Sequence, residues 1–179
     1  AIITTEVGQN QLWAAQYYKF TRPRQFISSG GLGTMGFGLG ASIGARLGRP
    51  DKKVINIAGD GSFRMNLIEI ATAVEYKLPV IIAVLNNHTL GMVRQWQQLF
   101  YGGRYSSTTL NRKLDFVKLA EALGAVGYDV TTPEQVDEVL LNALAEKERP
   151  VIINFEIDMD EKVFPIVPPG APIDELIEE

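Results

Sequence analysis

The sequence predicts an α/β domain of three layers, α/β/α, with a mainly parallel sheet in the middle. Short apolar, β-branched runs recur along the chain: KVINIA at 53–58, VIIAVLN at 80–86 and VIINFEI at 151–157. Between them lie segments whose apolar residues fall at helical spacing. The length, 179 residues with 46% hydrophobic and 21% charged, suits one domain core. Strands that are apolar throughout must be covered on both faces, which a parallel sheet flanked by helices provides.

The elements follow in order. A short strand is expected at 25–28, then a helix of small residues at 36–47 that can pack closely. The strand at 53–58 runs into Gly59-Asp60-Gly61, and 66–76 (NLIEIATAVEY) has the helical period. Pro79 opens the strand at 80–86, which ends at Asn86-Asn87. Helices are expected at 91–100 and 115–123, the latter closed by Gly124. Thr132 is the expected N-cap of a helix that begins at Pro133 and covers 134–146. Pro150 leads into the last strand, 151–157. The domain is placed at 1–156. Residues 157–179 form a tail with four of the nine prolines and seven of the 21 acidic residues, expected to pack near the functional site.

Composition narrows the chemistry. Lys plus Arg is 17 against 21 Asp plus Glu, a formal net charge of −4, so binding of nucleic acid by bulk charge is not expected. There is no Cys, which removes disulfides, thiolate metal sites and cysteine nucleophiles. One His, His88, cannot build a His-rich zinc site. No signal peptide and no run of about 20 apolar residues is present, so a soluble, cytoplasmic protein without membrane contact is expected. The start at AIITTEVGQNQ, with no initiator Met, reads as a fragment of a longer protein. Glycine is abundant, 17 residues, eight of them between 30 and 48. Chemistry must come from backbone, carboxylates, amides or a borrowed cofactor.

Ligands of parallel α/β sheets sit at the carboxyl ends of the strands. Asp60 lies at such an end, between two glycines and before Ser62 at a helix start. Free N–H groups there suit a phosphate, and a carboxylate in the same place needs a cation between itself and the anion. Magnesium, which takes six oxygens and shares them with phosphate and water, fits that need. GDG alone reads first as a plain βα turn with a capping Asp. Asn87, 27 residues further on, occupies the next strand end, one helix and one return strand away, where its amide oxygen would be a second ligand.

These residues carry a resemblance. The run from Gly59-Asp60-Gly61-Ser62 to Asn86-Asn87 resembles the thiamine diphosphate signature. LNNHTLGMVRQWQQLFYGGRYSSTTL (85–110), VGQNQLWAAQYY (7–18), SSGGLGTMGFGLGASIGA (28–45) and VFPIVPPGAP (163–172) resemble the large, catalytic subunit of acetolactate synthase. The likeness spans nearly the whole chain. It implies the thiamine diphosphate-binding fold, with Mg²⁺ held by Asp60, Asn87 and the Thr89 main-chain oxygen. It implies cofactor contacts from Val7, Gly8, Gln9, Asn10, Gly33, Met35, Gly59, Gly61, Ser62, Gly91, Met92 and Val93, with Met35 as the apolar wedge that bends the cofactor. Met92, Val93 and Trp96 would meet substrate, Trp96 sizing the second keto acid, in the region where the family's herbicides bind.

The implied reaction decarboxylates pyruvate and joins the two-carbon unit to pyruvate or 2-ketobutyrate, in branched-chain amino acid biosynthesis. Another thiamine diphosphate-dependent carboligase or decarboxylase is the alternative. The resemblance also implies a cofactor-activating Glu on a separate pyrimidine domain and an FAD-binding middle domain, neither found here. No catalytic side chain is therefore assigned to this chain, and alone it is expected to be inactive. A homodimer or tetramer and a small regulatory subunit are the implied partners. Two residues depart from the family pattern: Asn10 stands where His is usual, and Gly40 where Pro is usual. Arg94 and Arg104 are read as solvated or pairing residues rather than catalytic ones.

Overall fold

The structure, a computed structural model, describes residues 1–111 and 113–178. Six strands form one sheet: β1 (Ile2–Thr5), β2 (Phe26–Ile27), β3 (Val54–Gly59), β4 (Ile81–Asn86), β5 (Val126–Val130) and β6 (Val151–Glu156). Their order across the sheet is β2-β1-β3-β4-β6-β5, and every pairing is parallel. The helices are α1 (Gln9–Tyr17), α2 (Phe37–Gly48), α3 (Asp60–Phe63), α4 (Ile70–Glu75), α5 (Gly91–Phe100), α6 (Phe116–Ala122) and α7 (Val136–Ala145). No helix is long and apolar enough to cross a membrane among the described residues.

The period-two alternation of strand side chains divides the core between two faces. On one face Val54, Ile82, Val84 and Ile152 pack against Leu39 and Ile43 of α2, Ile70 and Ala73 of α4, and Phe116 and Ala120 of α6. On the other, Ile81, Val151 and Ile153 meet Val139 and Ala143 of α7. This is the expected three-layer arrangement with β4 and β6 buried at its centre.

The strand order reverses beside β1: β2 lies on one side of it and β3 on the other. Ligands of open α/β sheets bind in the crevice at such a reversal. The crevice here opens between the carboxyl ends of β1, β3 and β4.

Three elements lie where the sequence carries weak local signals. β1 is only four residues, and its two threonines are fully buried. They are acceptable there because Thr4 Oγ1 donates to Asn56 Oδ1 and Thr5 Oγ1 shares a hydrogen with Ser28 Oγ. The buried side of α1 is Gln9, Asn10 and Ala14, so it lacks an apolar stripe. β5 is an edge strand containing Gly127 and Asp129, both poor strand formers. Two expected helices begin differently. The segment at 66–76 opens as a 3₁₀ turn, Leu67–Glu69, before α4. The helix expected from Pro133 opens as the 3₁₀ turn Pro133–Gln135, and Gln135 Oε1 accepts the Thr131 and Thr132 N–H groups. The helix expected at 115–123 is α6, with the Asp115 carboxylate accepting the Lys118 N–H at 2.9 Å as N-cap.

Candidate functional site

A cleft opens at the sheet reversal. Val7, Gly8, Gln9 and Asn10 line it from the end of β1 and the start of α1. Gly59, Gly61 and Ser62 line it from the end of β3, and Asn87, Thr89, Gly91, Met92 and Val93 from the end of β4 and the start of α5. Met35 reaches it from the glycine-rich segment. Thus residues far apart in sequence converge on one cavity because their strands end side by side.

Asp60 lies beneath this lining and is wholly buried. Among the described residues no side chain hydrogen-bonds either carboxylate oxygen, and only its own and the Gly61 main-chain N–H approach it. Arg64 Nη2 lies 3.7 Å away, beyond hydrogen-bond reach. Burial pushes the Asp60 carboxyl up to about 6, against the pull of the Arg64 charge. A buried carboxylate with so little compensation is costly; an ion between it and an anion would remove that cost.

Asn87 sits on the adjacent strand end, as the β3–β4 register of Gly59 with Leu85 requires. Its Nδ2 donates to Gln9 Oε1 at 3.1 Å, and its Oδ1 accepts the Thr89 N–H at 3.2 Å. Between them His88 adopts a left-handed backbone, φ 56°, a conformation that costs a non-glycine residue of order 1 kcal/mol. Two contacts hold it: the His88 N–H donates to Asn86 Oδ1, and His88 Nε2 lies 2.8 Å from Glu156 Oε2. The Thr89 hydroxyl donates to the Thr108 carbonyl, and the Leu90 N–H donates to the same carbonyl. The 87–90 loop is thus fixed on both sides.

The side-chain oxygen donors at these two strand ends are one carboxylate, Asp60, and one carboxamide oxygen, Asn87 Oδ1. No cluster of three His, Cys, Asp or Glu side chains suited to a metal occurs among the described residues. An all-oxygen set with a single charge suits a hard cation that draws its remaining ligands from phosphate and water. The first-turn N–H groups of α3 and α5 have no intrahelical acceptor, and both helices start at the cleft.

Gln9 and Asn10 line the cleft and also bond within the protein. Gln9 Nε2 donates to Gln95 Oε1 and to the Glu161 carbonyl while its Oε1 receives Asn87, so its polar hydrogens are committed. Asn10 Nδ2 donates to the Ile57 carbonyl, and Asn10 Oδ1 has no partner among the described residues. At Gly91 a Cβ would collide with Gln9 Oε1 and come within 2.6 Å of Asn87 Nδ2, so both side chains would have to shift.

Trp96 lies outside the main cleft. It lines a neighbouring recess with Met92, Val93, Gln97, Tyr101 and Arg104, so Met92 and Val93 border both spaces. Pro165, Ile166 and Val167 of the tail face Val7, Gly8, Met92 and Trp96 across a further groove. Gly33 does not line the cleft; it lies against Val7. Arg94 pairs with Asp160 at 2.7 Å and stacks 4.0 Å over the Tyr105 ring.

Sequence reasoning missed Trp13, Leu85 and Leu90 in the lining, and Glu6 and Gln95 behind it. A charged residue directly after a β-branched run, as Glu6 is after IITT, was the available signal for the first of these two. Nothing local marks Gln95, whose partner Val163 is 68 residues away.

Comparison with known proteins finds a family and relatives along nearly the whole chain. The family described as thiamine pyrophosphate enzyme, C-terminal TPP binding domain, matches residues 6–155. The chain is 49% identical over 178 residues to the acetolactate synthase isozyme 2 large subunit of Escherichia coli, covering 99% of this chain and 32% of that protein. It is 48% identical over 177 residues to a probable acetolactate synthase large subunit of Methanococcus aeolicus, covering 99% of this chain and 29% of the other. Against the acetolactate synthase of Mycobacterium leprae the identity is 48% over 180 residues, 98% of this chain and 29% of that one. The chain spans about a third of the length of these relatives. The match across 6–155 makes the chain a member of the C-terminal, TPP-binding domain family of thiamine pyrophosphate enzymes.

Proposed function

We propose that this chain is the thiamine diphosphate-binding third of an acetolactate synthase large subunit. The observation that carries the reading is identity of nearly half along 99% of the chain to subunits of that name. In this reading Asp60, Asn87 Oδ1 and the Thr89 carbonyl hold Mg²⁺. The main-chain N–H groups of Gly61 and Ser62 meet the diphosphate. Met35, Met92 and Val93 supply apolar contacts to the cofactor rings, and Trp96, at the border of the recess, limits the size of the second 2-keto acid. Bound thiamine diphosphate supplies the nucleophilic carbon and the electron sink for decarboxylation.

The protein's part is to place and shield. Asn87 is oriented by Gln9 and Thr89, and the tail borders the neighbouring groove with Val7 and Trp96. One pyruvate loses CO₂, and its remaining two carbons join a second pyruvate or 2-ketobutyrate. The remaining two thirds of the enzyme supply the carboxylate that tunes the cofactor and the FAD site. Assembly is as a homodimer or tetramer, and the words "large subunit" in the relatives' names support a smaller regulatory partner.

The test is acetolactate formation from pyruvate by the full-length protein with thiamine diphosphate, Mg²⁺ and FAD. Acetolactate is expected, and the 179-residue chain alone is expected to form none. Release of acetaldehyde or acetate without acetolactate would overturn the assignment.

A further inference from the structure

One buried charged group has no part in the site as described so far. Glu6 follows β1 and is wholly buried. Its backbone is fixed by the bond from its N–H to the Ile57 carbonyl, 2.9 Å, which extends the β1–β3 ladder. Its side chain accepts three hydrogen bonds from two other segments. Oε2 accepts the Gly36 N–H at 2.8 Å and the Ser62 hydroxyl at 2.9 Å, and Oε1 accepts the Leu39 N–H at 3.0 Å. Ser62 Oγ in turn accepts the Val7 N–H at 3.3 Å.

Helix α2 has Gly36 as its N-cap, with no side chain to satisfy the first-turn N–H groups. Glu6 does this from across the sheet, capping Leu39 at the third helical position, where a cap side chain normally bonds. A negative charge there is also favoured by the helix dipole. The close approach that makes this possible depends on Gly38, where a Cβ would lie 2.7 Å from the Glu6 nitrogen. Because the Ser62 hydroxyl hydrogen goes to Glu6, the main-chain N–H is the donor Ser62 retains for an anion.

We propose that Glu6 is a positioning residue for the cofactor site. Its carboxylate locks the segment carrying Met35 to the Gly59–Ser62 turn, so the apolar wedge and the diphosphate-facing turn are set at one distance from each other. The proposal rests on the reading that this cleft holds thiamine diphosphate. It requires no contact between Glu6 and the cofactor. Every contact it uses is made by Gly36, Leu39, Ser62 and, through Ser62, Val7.

The experiment measures thiamine diphosphate affinity calorimetrically at saturating Mg²⁺ in the full-length protein, well below each variant's unfolding temperature. Glu6→Gln places an N–H₂ group against at least one donor, and affinity is expected to fall about 10-fold, as for other residues that orient a ligand-holding group. Ser62→Ala removes one arm without uncapping α2 and is expected to weaken binding several-fold, which keeps the test decisive should Glu6→Gln fail to fold. Met35→Ala is expected to weaken binding in the wild type but to add little in Glu6→Gln, since the wedge is already displaced; a merely structural glutamate would leave the two effects additive. Glu6→Asp, one methylene shorter, is expected to restore part of the affinity. Unchanged affinity in both folded Glu6→Gln and Ser62→Ala, or additivity with Met35→Ala, would overturn the positioning role alone. A wild type that does not bind thiamine diphosphate would overturn the reading of the cleft itself.

Discussion

Gln9 Oε1 accepts the Asn87 carboxamide N–H at 3.1 Å, across 78 residues of sequence. The contact sets which way Asn87 faces, because an amide whose nitrogen is held must present its oxygen on the other side. Gln9 is held in turn by Gln95 and by the Glu161 carbonyl, and Gln95 bonds both the N–H and the carbonyl of Val163. A chain of amides therefore links the tail to a proposed metal ligand. Gln9→Leu is expected to weaken Mg²⁺ affinity by about 10-fold at fixed thiamine diphosphate, as loss of an orienting partner does. Magnesium titrations followed by cofactor binding would show it.

Asp60→Asn is expected to separate stability from binding. The buried carboxyl is pushed up to about 6 by its surroundings, above the ordinary carboxylate value of about 3.9. The folded state then holds more protons than the unfolded one between those values. The contribution of Asp60 to stability is full below about 4 and is lost as pH rises through about 6. Without metal at pH 7.5, the Asn variant is expected to unfold several degrees higher than the wild type. Its unfolding temperature is expected to lose the wild type's decline across pH 4 to 6. Thermal shift on adding thiamine diphosphate and Mg²⁺ is expected only in the wild type.

Gly91→Ala is expected to abolish cofactor binding while leaving the core intact. The added methyl has to displace Gln9 Oε1 and the Asn87 amide, which are bonded to each other. Helix propensity alone would favour Ala by about 1 kcal/mol, so loss of binding without loss of helix content, followed by circular dichroism, would identify the collision as the cause.

Glu146 offers a pH test away from the site. Main-chain N–H bonds from Glu148 and its neighbours, with the Arg149 guanidinium at 2.9 Å, hold its carboxyl down to about 2. A depressed folded value means that the stabilisation is present above the unfolded value and disappears as pH falls toward 2. Glu146→Gln is expected to unfold at a lower temperature than the wild type at pH 7, with the gap closing as pH falls from about 5 to 2. A gap that stays constant over that range in thermal melts would show that the carboxylate charge contributes nothing to this turn.

The runs at 53–58, 80–86 and 151–157 announced the sheet because short apolar runs rich in β-branched residues suit strands of a parallel sheet covered on both faces. Asp60 and Asn87 were visible as candidates for the same reason, since each follows such a strand. What local sequence could not supply was anything held by a partner far along the chain. Thr4 and Thr5 became strand residues because Asn56 and Ser28 satisfy their hydroxyls. Helix α1 turns a polar side inward because Ile57, Asn87 and Gln95 bond its amides. Glu6 could be a buried carboxylate only because folding brings Gly36, Leu39 and Ser62 around it. Hydrophobic period is a property of a segment and can be read along it. Satisfaction of a buried polar group is a property of a neighbourhood, and only the folded chain creates one.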